Sequence, residues 1–254
     1  MAYLAVSNAD SVRILSLNRP KANALNSAFL TEIGDAVHKA ATEPQVCGVI
    51  LASSVPRFFS AGFDTNEIFP LGAAEIRAFF GKFLDLTHAF LNFPKPVVAA
   101  IPGHAMAGGA VLALACDARV MAEGHYGFAL NEINLGIVLS PGVIRMATAA
   151  IGMNASRSLV LEGNTISPQQ ALAMGLASEL ALDGQLIERA LAKAHALASK
   201  PPEAFAAVKR LIAGQARLSL AEDHASLDRF THHWCSEEST RLRQALADKL
   251  KGRE

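Results

Sequence analysis

The chain has 254 residues, 51% of them hydrophobic, with 23 Lys+Arg balanced by 23 Asp+Glu. That length suits one large domain or two small ones, and a zero net charge argues against a nucleic-acid partner, which normally selects a basic excess. The three cysteines, Cys47, Cys116 and Cys235, are far apart and odd in number, which fits a reducing compartment and buried thiols, not a disulfide frame or a metal site.

The opening MAYLAVSNADSVRILSLNRP has neither a long apolar stretch nor an Arg-rich character, so no signal or transit peptide is expected. No apolar run is long enough to cross a bilayer, and the closing KGRE is not a peroxisomal tripeptide of the Ser-Lys-Leu type. The expectation is a cytoplasmic protein with no membrane partner.

In chain order, Tyr3 to Val6 and Val12 to Leu17 read as two strands around a turn at Asn8-Ala9-Asp10. After a polar loop, Ser27 reads as the N-cap of an amphipathic helix carrying Phe29, Ile33 and Val37. Val46 to Ala52 is an apolar strand of the kind buried on both faces. A loop over Ser53 to Gly62 leads to a helix near Asp64, where Asp64 and Glu67 have capping-box spacing. A long helix is expected over Ala73 to Phe93, stopped by Pro94 and Pro96 before a strand at Val97 to Ile101. The run Ala110 to Ala115 is too short to span a bilayer and too apolar to face water, so it reads as a buried helix. Another strand follows at Ala118 to Ala122.

Strands and helices alternate up to this point, which argues for an α/β fold with a mostly parallel sheet. From Pro141 the pattern is almost entirely helical: Gly142–Ile151, Ala155–Leu161, Pro168–Met174, Gln185–Ala198, Pro202–Gly214, Leu220–Ser236 and Glu237–Lys251. Pro201-Pro202 marks the clearest boundary, dividing an α/β core over 1–200 from a helical region over 201–254. The stripe of Phe205, Leu211, Leu227, Phe230 and Trp234 reads as core or subunit interface.

Three local patterns could carry chemistry. In Phe58-Phe59-Ser60-Ala61-Gly62-Phe63-Asp64, a Gly beside a helix start can leave the Phe63 N–H on an inner surface. The pair Gly108-Gly109 offers a second N–H at the positive end of the buried helix. Two such donors about 3 Å from one oxygen form an oxyanion hole. In Ala129 to Ile137, Glu132 lies among apolar neighbours, which would raise its pKa toward the range useful in proton transfer. Each pattern also has a plain structural reading: a tight turn, close helix packing, a surface carboxylate.

Taken together they resemble the crotonase, or enoyl-CoA hydratase/isomerase, superfamily. The similar pieces are Leu17-Asn18-Arg19-Pro20-Lys21-Ala22-Asn23-Ala24-Leu25-Asn26, Phe59 to Asp64, Ala107-Gly108-Gly109 with Asp117, Asn131-Glu132 with Leu135-Gly136-Ile137, and Ala171 to Ser178. The resemblance implies a spiral of ββα units with a helical C-terminal region that makes homotrimers or dimers of trimers. It implies an acyl-CoA thioester substrate and no separate cofactor, because the coenzyme A belongs to the substrate. It makes Glu132 the acid/base and the N–H groups of Phe63 and Gly108 the oxyanion donors. Lys21, Ala22 and Ala24 would lie along the CoA, with Ala61, Gly62, Asp64 and Gly109 as further substrate-binding positions.

Hydratases of the family carry two glutamates; the position of the first, three residues after the oxyanion glycine, is Val111 here. One retained acid suits a Δ3,Δ2-enoyl-CoA isomerase, and so does the long interval from Gly136 to Pro141-Gly142. A one-carboxylate hydratase and a non-catalytic acyl-CoA binder are the alternatives. Among other residues, Asp64 reads as a helix cap, His104 as a loop histidine, and His232-His233 as an unsuitable metal pair. Glu67 and Glu123 would reach a site only if their loops fold inward. Phe69, Phe79, Phe80 and Phe83 fit either an acyl-tail lining or plain core.

Overall fold

The computed structural model describes residues 2–182, 184–216 and 220–251. Met1 and residues 252–254 of the closing KGRE lie outside them. Strands β1 (Leu4–Ala9) and β2 (Val12–Leu17) form an antiparallel hairpin, followed by helix α1 (Ser27–Thr42) and β3 (Gly48–Ser53). Next come β4 (Phe58–Ser60), α2 (Thr65–Ile68), α3 (Ala73–Leu91), β5 (Val97–Ile101), β6 (His104–Met106) and α4 (Gly108–Leu114). β7 (Ala118–Ala122), β8 (Phe128–Ala129) and a 3-10 turn at Glu132–Leu135 lead into α5 (Pro141–Glu162). The chain ends through α6 (Pro168–Ala173), β9 (Glu179–Ala181), α7 (Leu186–Ala198), α8 (Pro202–Ala216), α9 (Leu220–Ala225), α10 (Leu227–Trp234) and α11 (Glu237–Lys251).

The strands form two sheets. The larger has the order β1-β2-β3-β5-β7-β9 and is parallel from β2 onward; the smaller has the order β4-β6-β8 and is parallel throughout. Each winding of the chain runs through a strand of the large sheet, a strand of the small one, then helix or turn: β3-β4-α2, β5-β6-α4, β7-β8 and the Glu132 turn. This is the expected α/β spiral of ββα units.

The large sheet is apolar on both faces. Val49, Leu51, Val97, Ala99 and Ile101 face the main core, and Ile50, Ala52, Val98 and Ala100 face the layer made by α7. That is why these strands read as unbroken apolar runs. Ala190 and Ala194, one turn apart, are the fully buried α7 residues in that layer, and Leu186, Leu191 and Leu197 pack against it.

Several local expectations need correction. β1 continues through Asn8 and Ala9, so the hairpin turns later, at Asp10 with φ 50°. The α1 cap is Asn26, whose side chain accepts from the Phe29 N–H at 2.9 Å; Ser27 is already helical. Asn caps as well as Ser does, so the sequence alone left the choice open by one residue. The expected loop over 53–62 contains strand β4, which pairs with β6. The Asp64–Glu67 capping box is not formed: Asp64 does cap α2, but Glu67 accepts from the Ser27 N–H at 2.9 Å instead. The segment after Pro141 is not wholly helical, because β9 adds an edge strand beside β7. The expected 220–236 helix is interrupted at Ser226. By contrast, the two expected helices of the 142–161 segment are both present within α5, separated at Gly152, whose φ 74°, ψ 167° is not helical. Of the three free thiols only Cys116 is buried; Cys47 and Cys235 are exposed. Among the described residues, no helix is long and apolar enough to cross a membrane.

The glycines of the central helix are there for space. A Cβ on Gly109 would sit 2.6 Å from the Ser60 Cβ and 2.7 Å from its carbonyl oxygen, so α4 rests directly on β4. Gly109→Ala should therefore cost about 1–3 kcal/mol through overpacking. Gly214→Ala, inside α8 with nothing within 4 Å of the new Cβ, should instead gain about 1 kcal/mol. Urea midpoints of the two variants check this; shifts of the same sign would refute it.

Candidate active site

The small sheet brings three loops together. β4 ends at Ser60 and leads to Phe63; β6 ends at Met106 and leads to Gly108; β8 ends at Ala129 and leads to Glu132. Because the three strands are parallel, all three loops leave from the same end of the sheet, where ligands of open α/β sheets usually bind.

Leu25 forms a parallel bridge with Phe63: its N–H goes to the Gly62 carbonyl at 2.7 Å and its carbonyl accepts from the Asp64 N–H at 2.8 Å. In that geometry the Phe63 N–H itself points away from Leu25. Gly108 opens α4, so its N–H is one of the first-turn donors with no partner inside the helix. The two segments touch: a Cβ on Gly62 would lie 3.5 Å from the Gly108 nitrogen and 3.0 Å from the Ala107 Cβ, and a Cβ on Gly108 would lie 2.9 Å from the Phe63 ring. Ala107 holds this junction at φ 47°, a costly conformation for a residue with a side chain. Its N–H bonds to the Ala129 carbonyl at 2.9 Å, which ties the α4 start to β8, the strand that leads to Glu132.

A cavity of ≈ 220 Å³ opens between these segments, lined by Ala61, Phe63, Ala107, Glu132, Phe80 and Trp234 among others. Among its described lining residues, Glu132 carries the one carboxyl group. Its side chain is buried and its Oε2 has no hydrogen-bond partner. Burial pushes its pKa up to about 7, only partly offset by a hydrogen bond to the Glu132 backbone. Val111, at the position where a second acid is absent, is 1% exposed and packed in the main core.

A second cavity, ≈ 680 Å³, shares Thr65 and Phe69 with the first. Lys21, Arg243 and Lys251 line it, and no acidic side chain does among the described residues.

The other expected site residues divide. Ala61 lines the smaller cavity and Lys21 the larger. Gly62, Asp64, Gly109, Ala22 and Ala24 line neither. Asp64 pairs with Arg19 and caps α2. Ala22 accepts from the Ala61 N–H at 2.9 Å, and Ala24 from Arg19 Nη1 at 2.8 Å. His104 belongs to β6, not a loop, and its Nδ1 accepts from the Gly127 N–H at 3.0 Å. Glu67 and Glu123 do not line the cavity; Phe69 and Phe80 do, while Phe79 and Phe83 pack edge-on against Phe63.

Two residues that anchor the site escaped the sequence reading. Asn23 is fully buried at φ 50°; its side chain accepts from the Arg19 N–H at 2.7 Å and donates to Ser53 Oγ at 2.8 Å and the Phe59 carbonyl at 3.0 Å. Ser60 donates to the Asn23 carbonyl at 2.8 Å and accepts from the Gly62 N–H at 3.1 Å. The sequence marks the turn, through a polar residue that tolerates positive φ, but not these hydrogen bonds, whose partners at Ser53 and Phe59 are distant in sequence.

The raised Glu132 pKa has a stability consequence. The native state holds this proton more tightly than the unfolded chain, so the contribution is favourable at low pH and is lost as pH rises from about 4.5 to about 7. Glu132→Gln should thus be more stable than wild type above pH 7, by up to ~3 kcal/mol, and about equal to it near pH 4. Thermal melts across that range check the prediction; a constant difference would count against it.

Residues 7–252 match the family model described as enoyl-CoA hydratase/isomerase. The chain is 35% identical over 214 residues to a 2,3-dehydroadipyl-CoA hydratase of Escherichia coli (strain K12), covering 84% of this chain and 82% of that protein. It is 33% identical over 203 residues to a probable enoyl-CoA hydratase of Bacillus subtilis (strain 168), covering 79% and 78%. Its fold superposes on human mitochondrial Δ3,Δ2-enoyl-CoA isomerase with a TM-score of 0.94, at 26% identity and full coverage of both chains. With the three loops and the buried carboxyl in place, these matches establish that the chain is an enzyme belonging to the enoyl-CoA hydratase/isomerase family, with the crotonase fold.

Proposed function

We propose that the enzyme moves a double bond from C3 to C2 of an enoyl-CoA. The observation that carries this reading is that Glu132 provides the one carboxyl among the described residues lining the cavity, with Val111 where a second acid would stand. Adding water across a double bond benefits from two groups, one to deprotonate water and one to deliver a proton. Shifting a double bond needs a single group used twice.

In the proposed reaction the Glu132 carboxylate removes a proton from C2. The C–H electron pair becomes the C1=C2 bond of a dienolate, and the charge moves to the thioester oxygen. The N–H groups of Phe63 and Gly108 hold that oxygen; losing one such donor typically costs about 2.7–4 kcal/mol. The protonated Glu132 then returns the proton at C4, leaving the double bond at C2. A pKa of about 7 suits both halves of this exchange. No cofactor is required beyond the CoA carried by the substrate.

The larger cavity, with Lys21, Arg243 and Lys251 and no facing acid among the described residues, suits the phosphates of CoA. Exposed Met153, Leu161, Val208, Leu211 and Ile212 on α5 and α8 suit a homotrimer interface, and a cytoplasmic setting suits the free thiols.

The names of the curated relatives favour a second reading, hydration of a 2-enoyl-CoA. The two part on Glu132→Gln and on substrate. Isomerisation of 3-hexenoyl-CoA should fall about 10²–10⁴-fold in the variant, with thioester affinity kept. In the wild type, kcat/KM should fall below about pH 7 as Glu132 takes up its proton. Rapid loss of the enoyl absorbance of crotonyl-CoA would favour hydration, and near-full activity in the variant would refute both roles for Glu132.

A further inference from the structure

We propose that Asn23 is a positioning residue for the reaction: it fastens the 19–25 loop to the segment carrying the Phe63 N–H and so sets the turnover rate. The inference rests on the acyl-CoA reading above and adds to it a residue that acts through another. Asn23 is 0% exposed and lines neither cavity. It is therefore out of reach of a bound thioester. Its backbone singles it out. Lys21 and Asn23 stand at φ 71° and 50°, two left-handed positions within three residues and neither of them glycine. Such positions are costly for residues with side chains, and they persist only where the surroundings over-determine them.

Those surroundings are a row of hydrogen bonds between the loop and residues 59–64. The Asn23 Oδ1 accepts from the Arg19 N–H at 2.7 Å, and its Nδ2 donates to Ser53 Oγ at 2.8 Å and to the Phe59 carbonyl at 3.0 Å. The oxygen and both amide hydrogens are engaged, which fixes the side chain in one orientation. The Asn23 carbonyl accepts from Ser60 Oγ at 2.8 Å, and Ser60 Oγ accepts from the Gly62 N–H at 3.1 Å. On either side, the Ala22 carbonyl accepts from the Ala61 N–H at 2.9 Å, and the Leu25 N–H donates to the Gly62 carbonyl at 2.7 Å. Each residue from Phe59 to Gly62 is thus held by the 22–25 stretch, directly or through Ser60. The Gly62 carbonyl and the Phe63 N–H belong to one planar peptide, so fixing the first aims the second. Arg19, whose N–H ends on Asn23, pairs with Asp64 on the far side of Phe63. Removing the Asn23 side chain unties the loop at Arg19, Ser53 and Phe59 together, and the Phe63 donor loses its fixed aim. A misplacement of about 1 Å can cost on the order of a hundredfold in rate.

The test uses Asn23→Gly in the whole chain. Glycine takes a positive φ without strain, so this variant removes the side-chain bonds and keeps the backbone conformation. Asn23→Asp is read beside it, so that the answer does not hang on one variant folding. It keeps the shape and an oxygen for the Arg19 N–H but presents no donor to Phe59. In both, kcat for 3-hexenoyl-CoA, or for crotonyl-CoA if hydration is the reaction, should fall about 10- to 100-fold. Calorimetric affinity for saturated hexanoyl-CoA should stay within about threefold of wild type. In the wild type, the infrared carbonyl band of hexanoyl-CoA isotope-labelled at the thioester carbon should lie below its position in water; in both variants it should move back by about half or more. Wild-type kcat in a folded variant would overturn the assignment. So would a loss of kcat with the band unmoved, which marks a structural effect only. A wild type that binds hexanoyl-CoA with no band shift would overturn the oxyanion pairing, and Asn23 with it, and leave acyl-CoA binding standing. No binding at all would overturn the acyl-CoA reading as well.

Discussion

Everything at the site depends on the parallel pairing of three very short strands. β4, β6 and β8 hold only three, three and two residues, yet they fix where the Phe63, Gly108 and Glu132 loops emerge. The large sheet could be perturbed at its edges without moving those loops relative to one another. The small sheet could not. Its closeness to α4 explains why glycine stands at 109, where Ser60 leaves no room for a Cβ, and why Ala107 accepts an unfavourable backbone conformation. Backbone strain of about 1–3 kcal/mol at one residue is tolerable because the Ala129 carbonyl and the α4 helix hold it from both sides.

The second constraint is the isolation of Glu132. A buried carboxyl without a partner for one oxygen destabilises the folded chain at neutral pH. The same isolation raises its pKa to about 7, where it can both take and release a proton. On the proposed reading, stability and reactivity thus pull in opposite directions at one side chain. Asp64 shows the contrast: adjacent to Phe63 in sequence, it is tied to Arg19 and to the Asn66 N–H, and serves the fold.

The long elements were legible from residues because their periodicity is long. α1, α3, β3 and β5 bury the apolar positions that their patterns indicate. The small sheet was not legible, since two or three residues cannot display a period. Phe58, Phe59 and Ser60 therefore read as loop although they form β4, and β9 was lost in a helix-rich segment for the same reason. Glu132 was legible through its apolar neighbours and Gly108 through its helix start. Asn23 was not, because its importance lies in hydrogen bonds that include Ser53 and Phe59, distant in sequence, which no local pattern encodes. Gly109 stands between: visible as a glycine, but its reason, contact with Ser60, is tertiary.

The central claim is that one carboxyl does all the proton work. Its most direct test is conversion of 3-hexenoyl-CoA in deuterium oxide, with the product analysed by mass spectrometry. A single buried carboxyl that lifts a proton from C2 and returns it to C4 predicts 2-hexenoyl-CoA with less than one deuterium per turnover at C4 and no hydroxylated product. Build-up of 3-hydroxyhexanoyl-CoA at the rate of substrate loss would contradict it.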